Sequence, residues 1–310
     1  MLKIIPSKEV PPPDPLALEG LLGPFLPQPP GVVLLSGETS AGKTVLAYNM
    51  AYSIAAGKEF VGLTPMSPHR VLYIDLESPQ VVHSTLVHAI GKSDDLGFVL
   101  EMDHLLYTLE GRKDFITAIR KWDAGVVFVD PLLVAWPCQD ENNNAEASEQ
   151  MRHLKEIARA TNTLIVALWN MGEGYVKEKF RARGATGRLD RVDLALNYSE
   201  ESDTRRKLTI VKSRYGNLKE SITVQFEGEF GFRAVEGVDI APSQTQLIEA
   251  NIMNLISERP HSRQELLAAL RKREITNENL VDKALGTLRR IGKVTSPERG
   301  MYALPESSDS

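Results

Sequence analysis

The apolar and polar positions divide the chain into stretches with different rhythms. Between residues 31 and 190, short β-branched runs alternate with segments of helical period. The runs at 32–36, 70–76, 125–129 and 163–168 are continuously apolar, as strands covered on both faces are. The segments 44–56, 79–90, 113–122 and 146–161 repeat their apolar residues at helical spacing. This alternation predicts a parallel α/β sheet. Beyond residue 190 strand follows strand, at 194–198, 207–211, 221–226 and 231–235, with Gly228 as a turn signal between the last two. These predict an antiparallel extension on the edge of the sheet.

Residues 237–244 read as a linker. After them, 245–257, 262–273 and 277–291 show helical period, and the tail VTSPERGMYALPE reads as strand, turn at Gly300, strand. Nine of the 18 prolines fall in the first 30 residues, which predicts an irregular arm because proline fixes φ and lacks a donor. Within it, 16–22 is apolar enough for a brief helix docked on the domain behind. The expected organisation is an arm (1–30), an α/β domain (31–236), the linker, a small helical domain (245–305) and a frayed tail (306–310).

Composition narrows the classes. With 310 residues, 42% hydrophobic and 25% charged, the chain is neither wholly disordered nor fibrous. A formal charge of −5 argues against a uniformly basic nucleic-acid coat protein but leaves room for local basic surfaces. No apolar run approaches the roughly 20 residues of a membrane span, and the first residues hold no signal-peptide core, so no membrane partner is expected. The single cysteine, Cys138, permits no internal disulfide, so the expected setting is the reducing cytoplasm. The histidines show no metal-ligand spacing with it and read as surface or satisfied interior residues.

The chemistry concentrates in three places. Residues 37–44 read Gly-Glu-Thr-Ser-Ala-Gly-Lys-Thr and fit G-x-x-x-x-G-K-[ST] at every fixed position. A predicted strand leads in and a helix leads out, the context a phosphate loop requires. Gly37 and Gly42 let the backbone curl so that amides of Glu38, Thr39, Ser40, Ala41, Lys43, Thr44 and Val45 face phosphate oxygens, aided by the helix N-terminus. Lys43 then reaches the β- and γ-phosphates of ATP, and Thr44 offers a hydroxyl to Mg²⁺. Second, Gly-Val-Val-Phe-Val-Asp130 is an apolar strand ending in a carboxylate that can hold the Mg²⁺ water shell; read alone, such an aspartate is as well a turn residue. Third, Tyr-Ile-Asp-Leu-Glu77 closes the strand after the phosphate-loop helix, where ligands of open α/β sheets gather. Glu77 can polarise the water that attacks the γ-phosphate or sit as a carboxylate at the next helix N-terminus. Asp75 shares its strand face and is the weaker candidate.

Taken together these residues resemble the RecA-like ATPases, and among them the RepA-type plasmid helicases and DnaB-type replicative helicases, over about residues 31–235. The resemblance implies a RecA-like P-loop core with Glu77 as catalytic residue. It also implies a γ-phosphate sensor at the end of the fourth core strand; there Trp169-Asn170 stands where RepA-type members carry histidine, and Asn170 can still donate a hydrogen bond. Arg183 to Asp193 looks like the family's RGxxxxxxxxD segment. Lys212-Ser-Arg214 resembles the K-x-R strand of hexameric helicases, whose lysine and arginine reach a neighbour's nucleotide. Transferred here, Lys212 and Arg214 act in trans, worth about 10³–10⁵ in rate; otherwise they are a basic strand edge that resists aggregation. A homo-oligomer, a ring (a hexamer by resemblance) or a filament, follows from the trans reading.

Loops after the third and fourth core strands bind DNA in such rings. Residues 137–145 are polar and acidic, a poor phosphate binder. Residues 172–183 hold Lys177, Lys179, Arg181 and Arg183 with Tyr175 and Phe180 interleaved, which suits single-stranded DNA; the alternative is a merely soluble loop. Residues 243–305 carry ten Lys or Arg and seven Asp or Glu. Three helices and a two-strand wing there resemble a winged helix, with Ser262-x-x-Glu265 as a capping box. Its third helix, bearing Lys283 and Arg290, meets duplex DNA or a protein partner. The expected function is a DNA-dependent ATPase of replicative helicase type. Its rivals are a RecA- or RadA-like recombination ATPase that assembles on single strands without unwinding, a nucleotide-gated DNA-binding regulator or loader, and, more distantly, a small-molecule kinase.

Overall fold

The structure is a computed structural model describing residues 6–7, 20–138, 140, 143–171, 185–215, 220–235, 244–273, 275, 278–290, 293–297 and 300–305. The chain forms two compact units, Met1–Asp239 and Ile240–Ser310.

The first unit is built on a nine-stranded sheet. Its parallel part comprises β1 (Gly31–Glu38), β2 (Val71–Asp75), β3 (Leu96–Val99), β4 (Val126–Asp130), β5 (Leu164–Met171) and β6 (Leu194–Ser202). The strands β7 (Arg205–Ser213), β8 (Ser221–Glu227) and β9 (Gly231–Ala234) continue it antiparallel. The order across the sheet is β3-β2-β4-β5-β1-β6-β7-β8-β9. Strand β5 stands between β1 and β4, so the phosphate-loop strand and the strand ending in Asp130 are one strand apart. This is a RecA-like P-loop core with antiparallel edge strands.

The continuous apolar runs have a direct cause. Val33, Leu35, Val71, Tyr73 and Phe128 point to one face, beneath α1 (Lys43–Ala56) and α2 (Gln80–Ile90). Val32, Leu34, Leu72, Ile74 and Val129 point to the other, beneath α3 (Leu109–Trp122), the short α4 (Leu132–Ala135) and α5 (Asn144–Thr161). Both faces are covered, so successive residues are all buried.

The elements depart from the predicted ones in five places. Helix α3 starts at Leu109, not 113, because the Thr108 side chain accepts the Gly111 amide and caps it. Strand β5 runs on to Met171, so Trp169 and Asn170 lie within it. Strand β2 ends at Asp75, leaving Glu77 in the following turn. Strand β3 and helix α4 have no counterpart among the predicted elements: four residues each are too short for a periodicity to register. Helix α6 (Ala185–Arg191) occupies part of the RGxxxxxxxxD segment. Residues 16–19 of the expected brief helix lie outside the described residues; Gly23–Phe25 forms a single 3₁₀ turn.

The second unit has α7 (Gln244–Glu258), β10 (His261–Ser262), α8 (Arg263–Arg271), α9 (Glu278–Arg290) and β11 (Met301–Tyr302). Strands β10 and β11 pair antiparallel, and Thr295 bridges Ala303. Ile252, Ile256, Leu266, Leu270, Leu285 and Leu288 form its core. The capping box is present: Ser262 accepts the Glu265 amide and Glu265 accepts the Ser262 amide. That amide and the Arg259 guanidinium hold the Glu265 carboxyl down at about 2. The carboxylates of α9 are taken up between helices, Asp282 by Arg263 at 2.7 Å and Glu278 by Arg271 at 2.6 Å. No helix among the described residues is long and apolar enough to cross a membrane.

Candidate functional site

Parallel pairing brings the carboxyl ends of β1, β2, β4 and β5 to one edge of the sheet. There β1 turns into α1 through the predicted phosphate loop. A Cβ on Gly37 would stand 2.3 Å from the Tyr198 carbonyl oxygen of β6, so no other residue fits. Gly42 caps α1 with φ +89 and faces the Phe226 ring at 3.2 Å from a would-be Cβ. Both glycines are demanded by conformation or contact.

Lys43 opens α1 and is buried. Its ammonium donates to the carbonyls of Gly37 at 3.0 Å and Glu38 at 2.7 Å, folded back along the loop. Burial pulls it below its ordinary pKa, while the carboxylates of Asp130, Glu77 and Glu38 resist. Asp130 ends β4, also buried. Tyr73 donates to its Oδ2 at 2.8 Å, and Thr44 also hydrogen bonds to it. Burial raises its carboxyl to about 6 against those two bonds, with Asp75 and Glu77 pushing the same way.

These residues fit ATP and Mg²⁺. The loop has no room for side chains at Gly37, its lysine stands ready, and a hydroxyl and a carboxylate lie together as hard oxygen donors. Among the described residues no three His, Cys, Asp or Glu cluster as metal ligands. The Thr44–Asp130 pair therefore suits an ion completed by water and phosphate oxygens.

Glu77 and Asp75 sit in opposite environments. Glu77 is exposed at the edge, and its charge acts on both Lys43 and Asp130. Asp75 is buried within a hydrogen-bonded network. Asn170 lies beside Gly37 in register, at the site's border. Its neighbour Trp169 is covered by the fully buried Arg188 guanidinium, 3.7 Å from the ring centroid. Arg188 also donates to Gln150, joining α6 to α5. Trp136 is set apart, between Arg112 and His153, lining a cleft of about 610 Å³.

Lys212 and Arg214 are not near this loop. Gly37 pairs with Tyr198, and Tyr198 with Leu208. Arg214 is six residues beyond, about 20 Å along the strand at roughly 3.3 Å per residue. Both side chains instead meet the end of α6: Lys212 donates to the Leu189 carbonyl, and Arg214 to those of Asp190 at 2.9 Å and Val192 at 3.2 Å. Asp193 is at the same edge, accepting the Val32 amide and pairing with Lys155 at 2.6 Å. The candidate nucleic-acid residues Lys177, Lys179, Arg181 and Arg183 lie outside the described residues. Lys283 and Arg290 fall on α9, with their side chains outside the description.

Sequence reading missed Arg206. It is buried on β7, donates to the Ala41 carbonyl at the loop's apex at 3.1 Å, and stacks over Phe226. Its distance in sequence from residue 41 left no local signal.

The model of the AAA_25 family, an AAA domain, matches residues 9–169. The chain belongs to that family: it is a P-loop ATPase domain with a RecA-like core. No curated protein matches it by sequence. Similar solved structures include the ATPase domain of a helicase, at 15% identity over 67% of this chain and 85% of that one, with a TM-score of 0.48. The flagellar accessory protein FlaH from Methanocaldococcus jannaschii is 15% identical over 68% and 91%, with a TM-score of 0.45. The RadB recombinase is 18% identical over 71% and 97%, with a TM-score of 0.46.

Proposed function

We propose that the protein is a DNA-dependent ATP-hydrolysing motor of the RepA- and DnaB-like helicase type, with nucleotide sites shared between subunits of a ring or filament. In each site Lys43 and the loop amides hold the phosphates, and Glu77 orients and polarises the attacking water. Asn170 reads the γ-phosphate. Thr44 and Asp130 would hold Mg²⁺, which neutralises charge on the β- and γ-phosphate oxygens. Lys212 and Arg214 complete the site of a neighbour.

One observation carries the shared site: the strand register sets Lys212 and Arg214 at the opposite edge of the sheet from their own phosphate loop. If they touch nucleotide, it belongs to another subunit. Residues 172–183 would track single-stranded DNA. For the second unit, the order helix, strand, helix, helix, then the bridge at Thr295 and β11 supports a winged helix. Its carboxylates on α9 are already paired with Arg263 and Arg271, which favours a duplex-DNA contact through Lys283 and Arg290. That observation also sustains the second reading, a nucleotide-gated regulator that binds a defined duplex site.

Steady-state ATP hydrolysis with and without single-stranded DNA tests the proposal, with Lys43→Ala as the blank. The motor reading expects strong stimulation, lost in Lys43→Ala and in Arg214→Ala. Hydrolysis indifferent to single strands and preserved in Arg214→Ala would sink it in favour of the regulator.

A further inference from the structure

The two carboxylates at the end of β2 divide the labour. Both oxygens of Asp75 are engaged. Oδ1 accepts the Ser78 amide at 3.0 Å, closing the turn that carries Leu76 and Glu77. Oδ2 faces the Tyr48 hydroxyl at 3.3 Å and His83 Nδ1 at 3.4 Å. Tyr48 and His83 are also hydrogen bonded to each other. A phenol has one proton; given to Asp75, it requires His83 Nδ1 to carry a hydrogen of its own. Burial, with the Asp75 carboxylate beside it, holds the Tyr48 phenol protonated. On the other side of Glu77, the Leu76 amide donates to the Asp130 carbonyl at 3.0 Å.

The two backbone amides flanking Glu77 are therefore both pinned, one by β4 and one by Asp75. Tyr48 belongs to the helix that begins at Lys43, and His83 to α2. Tyr48 also lies against Tyr73, ring centroids 4.3 Å apart, and Tyr73 holds Asp130. We infer that Asp75 is a positioning residue: through the Ser78 amide it fixes Glu77 over the site, and Tyr48 and His83 lock it to the phosphate-loop helix and to α2. This deepens the proposed function and rests on its reading of Glu77. An unpinned residue on an exposed turn retains backbone freedom of about 1–2 kcal/mol, and misplacing a reacting group by about 1 Å costs about 10²-fold.

The test is a double-variant cycle on kcat and ATP affinity, with hydrogen exchange at the Ser78 amide read by NMR. Asp75→Ala is expected to lower kcat by about 10²-fold, leave the ATP Kd within about twofold, and speed Ser78 exchange by about tenfold or more. Asp75→Asn keeps a carbonyl oxygen for Ser78 and recovers part of both. Tyr48→Phe keeps the ring and serves if Asp75→Ala does not fold; it lowers kcat less, again without moving Kd. In Glu77→Gln, kcat is lost with Ser78 exchange unchanged, and adding Asp75→Ala lowers kcat no further. Unchanged kcat in Asp75→Ala and Tyr48→Phe, or losses that multiply with Glu77→Gln, would overturn the inference alone. Full kcat in Glu77→Gln would overturn the reading of Glu77 and the inference with it.

Discussion

The parallel strands β2 and β4 are buried at every position, whereas β7 and β8 alternate buried and half-exposed ones. The first pair lies between two layers of helix; the second has one covered face. The difference sorts their polar groups. In the parallel half, polar side chains gather where strands end, at Asp75, Asp130 and Asn170. The antiparallel half carries them along its length, so Arg206 turns inward to the loop apex and Lys212 reaches α6. The parallel half sets the groups that meet nucleotide, and the antiparallel half braces that loop while carrying cations to the far edge.

This division can be tested from its strongest consequence downward. Lys43→Ala removes the loop's own cation and is expected to lower ATP hydrolysis by about 10³-fold or more, read in steady-state turnover. Next, Glu77→Gln and Arg214→Ala each inactivate alone, Arg214→Ala by about 10³–10⁵. Mixed in equal amounts, they should recover part of the turnover, because a wild-type Glu77 then meets a wild-type Arg214 across an interface. Failure of the mixture to recover any activity would place both halves' groups in a single chain's site and erase the contrast.

Asp130→Asn gives a smaller effect on stability. A carboxyl raised from 3.8 to about 6 in the folded chain opposes folding once it is ionised. The folded state binds the proton more tightly, so wild-type stability falls as pH rises between those values. Above about pH 6 the nucleotide-free Asp130→Asn protein should be more stable by about 3 kcal/mol, an advantage that disappears below about pH 4. Denaturant unfolding across that range checks it. Smallest is Arg206→Ala, which strips the Ala41 carbonyl of its donor. It should lower stability by about 1–3 kcal/mol and weaken ATP binding more than kcat, measured by melting and by nucleotide titration.

The reasons for success and failure in reading the sequence follow the same contrast. The phosphate loop, Asp130 and Glu77 are local: a run of apolar residues ends, and the chemistry stands within a few positions. The brace on Asp75 draws on residues 48, 78 and 83 from three elements, and no spacing relates them. Arg206 and Ala41 are further apart still. His83 reads as a satisfied interior residue and is one, yet only the fold reveals what it satisfies. Helix α6 leaves little trace because Ala-Thr-Gly-Arg weakens a helical pattern; Gly187 is there because a Cβ would meet the Asn144 carbonyl at 2.7 Å.

The donors at the end of α6 carry one more implication. A helix terminus leaves carbonyls without intrahelical partners, and here Lys212 and Arg214 supply them. A side chain committed to a neighbour's phosphate is withdrawn from those carbonyls. Docking a subunit would then loosen the terminus of α6, and tightening that terminus would weaken docking by the same free energy. Since α6 continues directly from residues 172–184, whatever a ligand does to that segment and whatever a neighbour does to Arg214 are drawn from one shared set of hydrogen bonds.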